Sequence, residues 1–192
     1  MRVVSGSLGG RTFDSPGTER THPMSDKMRG ALFNILGELD DLIVLDPFGG
    51  SGALSFEAIS RGARSALVLD SDRSAQEAIE ENITQLGLQD KVQLVKASAG
   101  AWLNTTYDEQ FDIVLCDPPY DNVQQSLLVR LSTRTVPGGL MVLSYPGNLD
   151  APKFPRLEQI KQQSYGDAQL IFYRAVHPTE LGLEEDQTLT GV

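Results

Sequence analysis

The chain has 192 residues, of which 40% are hydrophobic and 22% charged, a composition typical of one globular domain with a core of its own. Its formal net charge of −10 argues against a broad nucleic-acid-binding surface, because phosphate contacts require clustered Lys and Arg. One cysteine and two histidines exclude an internal disulfide and a multi-cysteine metal site, so we expect no metal.

Residues 1–40 are predicted to form a small extension before the main domain. Two short strand-like pieces, RVVSG and RTF, are joined through Gly9-Gly10 as a β-hairpin, and a helix is expected to begin after Ser25, a plausible N-cap. Residues 1–36 carry five basic and three acidic side chains, whereas the rest of the chain is strongly acidic. A polyanionic partner is therefore expected to contact this segment; the alternative is a solvated loop with incidental arginines.

The N-terminal sequence lacks the apolar region of a secretory signal, and the apolar runs are too short to cross a bilayer. We therefore expect a cytoplasmic protein that makes no membrane contact.

Residues 41–176 alternate between short apolar runs and longer helical stretches, which predicts a mostly parallel sheet covered by helices on both faces. The predicted strands are 42–46, 66–70, 92–95, 112–116 and 139–145, and the predicted helices are about 53–61, 73–86, 98–104 and 123–134. Pro137-Gly138-Gly139 is expected to form a turn. Two alternating runs around Gly166-Asp167 predict a C-terminal antiparallel hairpin, and the acidic tail, 177–192, is predicted to be disordered.

The first predicted strand leads directly into DPFGGSGALSFEA, residues 46–58, so glycines occupy the strand-to-helix turn. Glycine there lets a ligand approach the backbone, and Asp70 ends the second strand where such folds place a carboxylate that binds a ribose. Together these features indicate an adenosine-containing ligand. The dinucleotide spacing G-x-G-x-x-G is absent because Ser55 stands at the third glycine position, and Asp46 suits a cationic, amino-acid-bearing ligand better than a pyrophosphate.

Asp117-Pro118-Pro119-Tyr120 ends the fourth predicted strand, at the edge where open α/β sheets bind ligands. The prolines fix the backbone and remove donors, so Asp117 and the Pro118 carbonyl form a corner that only accepts hydrogen bonds. A corner that accepts both protons of an exocyclic amino group would direct the nitrogen lone pair at an electrophile, while Tyr120 offers a face for base stacking. The motif predicts amino-group methylation; the alternative is an ordinary turn with an exposed acid.

Other reactive side chains have simpler interpretations. Cys116 precedes Asp117 in the same strand, so its side chain is expected to point into the core. His22 and His177 are expected to be solvated, and Trp102 and Leu103 are expected to pack in the core.

The glycine turn and the DPPY corner together resemble the class I S-adenosylmethionine-dependent methyltransferases. RVVSGSLGGR, DKMRGALFNIL, DPFGGSGALSFEAISRGA, VLDSD and DPPY, in this order, are similar to the bacterial 16S rRNA guanine-N2 methyltransferase (RsmD) family. The resemblance implies a Rossmann-like α/β fold with a mostly parallel seven-stranded sheet, preceded by an RNA-contacting N-terminal β-hairpin and helix. It also implies S-adenosyl-L-methionine as the cofactor and ribosomal RNA or a small-subunit assembly intermediate as the partner.

The same resemblance implies roles for individual residues. The residues expected to contact the cofactor are Asp46, Phe48, Gly50, Gly52, Asp70 and Ser98. Those expected at the reacting base are Asp117, Pro118 and Tyr120. The expected RNA contacts are Arg2, Arg11, His22, Lys27 and Arg29.

Some positions depart from the family, which usually has Thr-Arg-Pro-Thr where this chain has Thr21-His22-Pro23-Met24. Two alternatives therefore stay open: a DNA adenine-N6 or cytosine-N4 methyltransferase, and a cofactor-binding ribosome-assembly factor with impaired catalysis. Guanine presents adjacent N1–H and N2–H₂ donors to one carboxylate, which mildly favours it over adenine.

Overall fold

The computed structural model describes residues 1–17 and 24–177. The prediction of an RNA contact at His22 lies outside these residues, as does the prediction of a disordered tail beyond residue 177. None of the helices in the described ranges is long and apolar enough to span a bilayer.

Seven strands form one mixed sheet in the order β3-β2-β1-β4-β5-β7-β6. Neighbouring strands among the first five pair in parallel, whereas β7 pairs antiparallel with both β5 and β6. The predicted seven-stranded class I methyltransferase fold with its C-terminal antiparallel hairpin is thus confirmed. The strands are β1 (Ile43–Asp46), β2 (Ser65–Leu69), β3 (Val92–Val95), β4 (Phe111–Cys116), β5 (Thr135–Pro146), β6 (Leu157–Tyr165) and β7 (Ala168–Ala175).

Helices cover both faces of the sheet. Because side chains alternate along a strand, Val44 of β1 faces one core with α1, α2 and α3, and Leu45 faces a second core with α4 and α5. Trp102 and Cys116 are buried in the second core, as the sequence predicted. The helices are α1 (Asp26–Leu36), α2 (Ala53–Ser60), α3 (Arg73–Leu86), α4 (Ala99–Thr105) and α5 (Gln125–Ser132), with a 3-10 helix at Tyr120–Asn122.

Three helices begin at side-chain caps. The Ser25, Asp72 and Ser98 side chains accept hydrogen bonds from backbone N–H groups in the first turns of α1, α3 and α4. Each cap satisfies one of the donors that a helix N-terminus leaves without an internal partner, so the sequence locates these helix starts well.

The start of β5 differs from the prediction. Pro137-Gly138-Gly139 lies inside β5 rather than in a turn before it, and the β4–β5 register shifts between Phe111 and Ile113. The irregularity accommodates the proline and glycines within the ladder, as β-bulges do.

The N-terminal segment, which is the predicted extension of residues 1–40, packs against α2. Its two predicted strand pieces pair through a single antiparallel bridge, Arg2–Thr12, instead of a longer hairpin. The buried Glu57 carboxylate of α2 accepts hydrogen bonds from the backbone N–H groups of Val4 (2.7 Å) and Ser5 (3.0 Å). The segment therefore shares a core with the sheet domain, and the division at residue 40 remains a prediction about organisation.

Candidate active site

Three carboxylates stand at the carboxyl edge of the parallel sheet. Asp46 ends β1, Asp70 follows β2, and Asp117 follows β4, and these three strands are adjacent in the order β2-β1-β4. The crossovers diverge between β1 and β4, and ligands bind at such switch points in open α/β sheets. Asp46 lies close enough to Asp70 and Asp117 for both charges to raise its pKa.

The loop between β1 and α2 is a glycine cradle held by Asp70. Gly50 N–H donates to Asp70 Oδ2 at 2.7 Å, and Asp72 N–H donates to Oδ1 at 2.8 Å. Gly52 caps α2 in the left-handed region, with φ 81°, and a side chain on it would overlap the ring of Phe56. The loop thus keeps its backbone bare beside a fixed carboxylate, and burial raises the pKa of Asp70.

Asp46 is completely buried, with 0% of the residue's surface exposed. Ser55 Oγ donates to its Oδ2 at 2.9 Å, and the Phe48 backbone N–H also lowers the pKa of the carboxyl, whereas Oδ1 is buried and receives no hydrogen bond of normal geometry. Burial raises the pKa of Asp46 to about 7, and the nearby carboxylates act in the same direction. A buried acceptor that lacks a donor beside a glycine cradle fits the ammonium group of a cationic, amino-acid-bearing nucleoside.

The two remaining residues of the expected cofactor set have clear structural contacts. Phe48 is half-buried and packs against the core under α4 and α5. Ser98 is exposed, and its Oγ accepts from Ala101 N–H at 3.2 Å as the N-cap of α4. Their contact with a cofactor remains a prediction.

The DPPY corner follows β4 directly. Pro118 is buried, and Tyr120 begins the 3-10 helix with 38% of its surface exposed. Burial raises the pKa of Asp117 to about 6, while a hydrogen bond from Ser144 acts in the opposite direction. The Tyr120 hydroxyl oxygen lies 2.6 Å from Ser144 Oγ. The corner thus combines a carboxylate that can ionise near neutral pH with an accessible aromatic ring.

Comparison with known proteins places this arrangement in a family. Residues 1–174 match the family model described as "Conserved hypothetical protein 95". The chain belongs to this family. The resemblance found in the motifs is thereby confirmed: the family is one of S-adenosylmethionine-dependent methyltransferases.

Proteins named as rRNA methyltransferases are similar in sequence to this chain. The chain is 28% identical over 181 residues to the "Putative rRNA methyltransferase YlbH" of Bacillus subtilis, covering 91% of this chain and 98% of that protein. It is 32% identical over 121 residues to the Ribosomal RNA small subunit methyltransferase D of Escherichia coli, covering 62% of this chain and 60% of that protein.

The fold agrees with a solved structure described as "Putative methyltransferase yhhF from Escherichia coli". The TM-score is 0.81 at 25% identity, and the match covers 92% of this chain and 98% of the other. The family match over residues 1–174 includes the N-terminal segment as well as the sheet domain.

In this family member the predicted RNA contacts differ in accessibility. The Arg2 side chain is 64% exposed and pairs with Asp26 at 2.9 Å, and Lys27 is exposed. Arg11 donates to the carbonyl oxygens of Gln85 (2.8 Å) and Leu86 (3.0 Å) at the C-terminal end of α3. These three residues remain candidates for RNA contact.

The prediction for Arg29 is wrong. Its side chain is completely buried, and it donates to Asp26 at 2.8 Å and to the Arg2 carbonyl oxygen at 2.6 Å. Because the Arg29 guanidinium is buried and bonded to Asp26 and the Arg2 carbonyl oxygen, it joins α1 to the start of the chain and offers no surface for phosphate.

Sequence reasoning missed Ser144 and the partnership of Ser55 with Asp46. Ser144 is buried, and the only sequence signal for it is a single serine in the apolar run GLMVLSY. The sequence indicates Ser55 only as the residue at the third glycine position of the dinucleotide motif. Both contacts depend on strand register and helix position, which a local pattern does not specify.

Proposed function

We propose that this chain transfers a methyl group from S-adenosylmethionine to the exocyclic N2 amino group of guanine in 16S rRNA. The observation that carries the proposal is the acceptor corner at Asp117, which stands beside the Asp46 and Asp70 carboxylates at the switch point of the sheet. The names of the two rRNA methyltransferases above support the choice of RNA.

The residues around the glycine cradle fit S-adenosylmethionine. Asp46 Oδ1 would accept from its ammonium group, Asp70 would accept from its ribose hydroxyls, and the bare backbone at Gly50 and Gly52 would lie against it. When bound, the cofactor supplies an electrophilic methyl group on a positively charged sulfur. Three acidic groups at this edge favour a cationic ligand electrostatically.

Asp117 orients the amino group of the base and accepts a proton from it. As a carboxylate it accepts the N1–H and N2–H protons of guanine, which holds the amino group so that its lone pair is directed away from the acceptors. The amino nitrogen must lose one proton after it gains the methyl carbon, and a carboxylate with a pKa near 6 can accept that proton and return it to water. Tyr120 would stack on the base that the RNA presents.

The layout favours RNA over duplex DNA. Between the end of β4 at Cys116 and the start of β5 at Thr135 the chain holds only the corner, the 3-10 helix and α5. A DNA amino-methyltransferase requires a region that recognises the duplex, and this connection leaves little room for one.

The test is mass spectrometry of nucleosides after incubation of the protein and isotope-labelled cofactor with small ribosomal subunits, naked 16S rRNA and DNA. We expect label in N2-methylguanosine from the ribosomal substrates, and none with Asp117→Ala. Label in N6-methyladenine or N4-methylcytosine of DNA would identify the first alternative. Cofactor binding without label in any substrate would identify the second.

A further inference from the structure

Ser144 lies where β5 brings a hydroxyl group level with the acceptor corner. The last residue pair between β4 and β5 is Cys116 with Leu143, so the next residues along the two parallel strands are Asp117 and Ser144. Ser144 is only 2% exposed, and its Oγ is 2.6 Å from the Tyr120 hydroxyl oxygen. One buried side chain therefore stands between the carboxylate and the aromatic ring.

Hydrogen-bond chemistry gives this contact a direction. A serine hydroxyl has one proton, an ionised carboxylate can only accept, and a phenol can donate or accept. The register places Ser144 level with Asp117, and a hydrogen bond donated by its hydroxyl to that carboxylate lowers the pKa of Asp117. Either oxygen of the Tyr120–Ser144 pair can be the donor; when Ser144 donates to Asp117, its Oγ accepts from the Tyr120 phenol, which gives a chain of donors from Tyr120 through Ser144 to Asp117.

Tyr120 has little else to fix its orientation. It begins a three-residue 3-10 helix that contains no buried residue, and its ring is partly exposed. A ring on such a short element can change rotamer unless its polar end is anchored. The rigid central strand β5 supplies that anchor through Ser144.

We propose that Ser144 is a positioning residue of the methyl-transfer site: its hydroxyl ties the Tyr120 ring to the Asp117 carboxylate, so that stacking surface and acceptor keep a fixed separation. This inference rests on the proposed function. The hydrogen bond to Ser144 also occupies the Tyr120 hydroxyl, which leaves the face of the ring to contact a base. Ser144 uses one of the lone pairs of Asp117 and leaves the others for the two N–H donors of guanine.

The kinetic test compares Ser144→Ala with Tyr120→Phe and with the double variant. Ser144→Ala should lower kcat/KM for RNA by about 10- to 100-fold and shift the acid limb of its pH profile to higher pH, while cofactor affinity changes less than about threefold. The double variant should be no worse than Ser144→Ala, since both changes break the same chain. Wild-type kcat/KM and an unshifted acid limb in Ser144→Ala would overturn the inference.

Thr135→Val is the matched control. Thr135 is also a buried β5 residue, and its Oγ1 has no hydrogen-bond partner. Loss of a buried hydroxyl in the same strand, away from the corner, should leave kcat/KM and the pH profile unchanged. If Thr135→Val were as impaired as Ser144→Ala, the effect would be general damage to β5, and the positioning role would be wrong.

A carboxyl NMR titration separates failure of this inference from failure of the proposed function, because it requires no substrate. In the protein alone, Ser144→Ala should raise the titration midpoint of Asp117, and Tyr120→Phe should raise it less. The neighbouring Asp46 carboxyl titrates in a similar range, so both titrations are repeated in an Asp46→Asn background. An unchanged Asp117 midpoint in Ser144→Ala would overturn the inference even if the enzyme methylates guanine.

Discussion

At the scale of single residues, Asp46 carries a stability cost that its position explains. A carboxyl group whose pKa is about 7 in the folded chain, against an ordinary value of 3.8, holds its proton more tightly when folded than when unfolded. Folding is therefore favoured at acid pH, and this contribution is lost as the pH rises from about 4 through about 7. The hydrogen bonds from Ser55 and the Phe48 backbone offset only part of this cost, and a bound cation would offset more of it.

Asp46→Asn should remove that cost. The Ser55 hydroxyl keeps an acceptor, and the buried charge disappears, so we expect the free energy of unfolding at pH 8 to rise by about 2 kcal/mol or more and to vary less with pH between 4 and 7. Denaturation at several pH values measures this. Calorimetry should show much weaker S-adenosylmethionine binding by the same variant. An unchanged pH slope would mean that Asp46 is not a buried titrating group.

The sequence predicts the position of individual residues well where a short motif fixes both the residue type and its place at the end of a strand. The sequence places Asp46, Asp70 and Asp117 at the ends of parallel strands, whose carboxyl ends meet at one edge, and the structure brings the three together. The prediction of an RNA contact at Arg29 failed because charge alone does not show which side of a helix meets the core. Ser144 was missed because its partner is set by the register of β5 against β4.

At the scale of elements, the N-terminal segment is anchored on α2 by close backbone contact. The Ser7 N–H donates to the Ser60 carbonyl oxygen at 2.7 Å, and Phe13 packs edge-on against Phe56 with ring centroids 5.3 Å apart. A side chain at Gly6 would overlap the Ser60 carbonyl. The segment is therefore built into the fold and does not require a ligand to hold it.

Gly6→Ala and Gly10→Ala provide a matched test of this docking. Both glycines have nearly the same positive φ, 83° and 84°, so alanine strains the backbone equally at the two positions. Open space surrounds Gly10, whereas Gly6 abuts Ser60. We expect Gly6→Ala to lower the free energy of unfolding by about 2 kcal/mol more than Gly10→Ala in urea denaturation. Equal losses would show that the segment is not packed on α2.

The sequence predicted most elements because strand alternation, helix caps and C-cap glycines are local signals. The α3 helix, with Asp72 as N-cap and Gly87 as C-cap, matches its predicted range of 73–86. The Pro137-Gly138-Gly139 run misled the prediction, since a turn and a bulge within a strand use the same residues. Only pairing with β4 distinguishes them.

At the scale of the whole molecule, the acidic charge restricts where RNA can approach. The chain carries 26 acidic and 16 basic side chains, and three of the acids stand at the candidate site. The exposed cations Arg2 and Lys27 lie on the N-terminal segment. We therefore expect RNA to contact this segment.

The combined variant Arg2→Ala/Lys27→Ala should weaken RNA binding about equally for all sequences and reduce the salt dependence of binding, by about one unit of slope for each phosphate that the protein no longer neutralises. Cofactor affinity should not change. Lys161→Ala, which removes an exposed cation from β6, is the control and should bind RNA normally. If the control binds RNA as weakly as the double variant, RNA binding depends on the overall charge of the protein, and the prediction of a specific contact at the N-terminal segment is wrong.

Methyl transfer and cofactor affinity are measured together in Asp117→Ala. The control is Asp121→Ala, since Asp121 is an exposed acid on the adjoining 3-10 helix. The acceptor corner predicts that Asp117→Ala loses at least about 10³-fold in single-turnover rate on ribosomal substrate, while its calorimetric affinity for S-adenosylmethionine stays within about tenfold of wild type. Asp121→Ala should match wild type in both. Equal loss of rate and affinity in Asp117→Ala, or full activity, would contradict the role assigned to the corner.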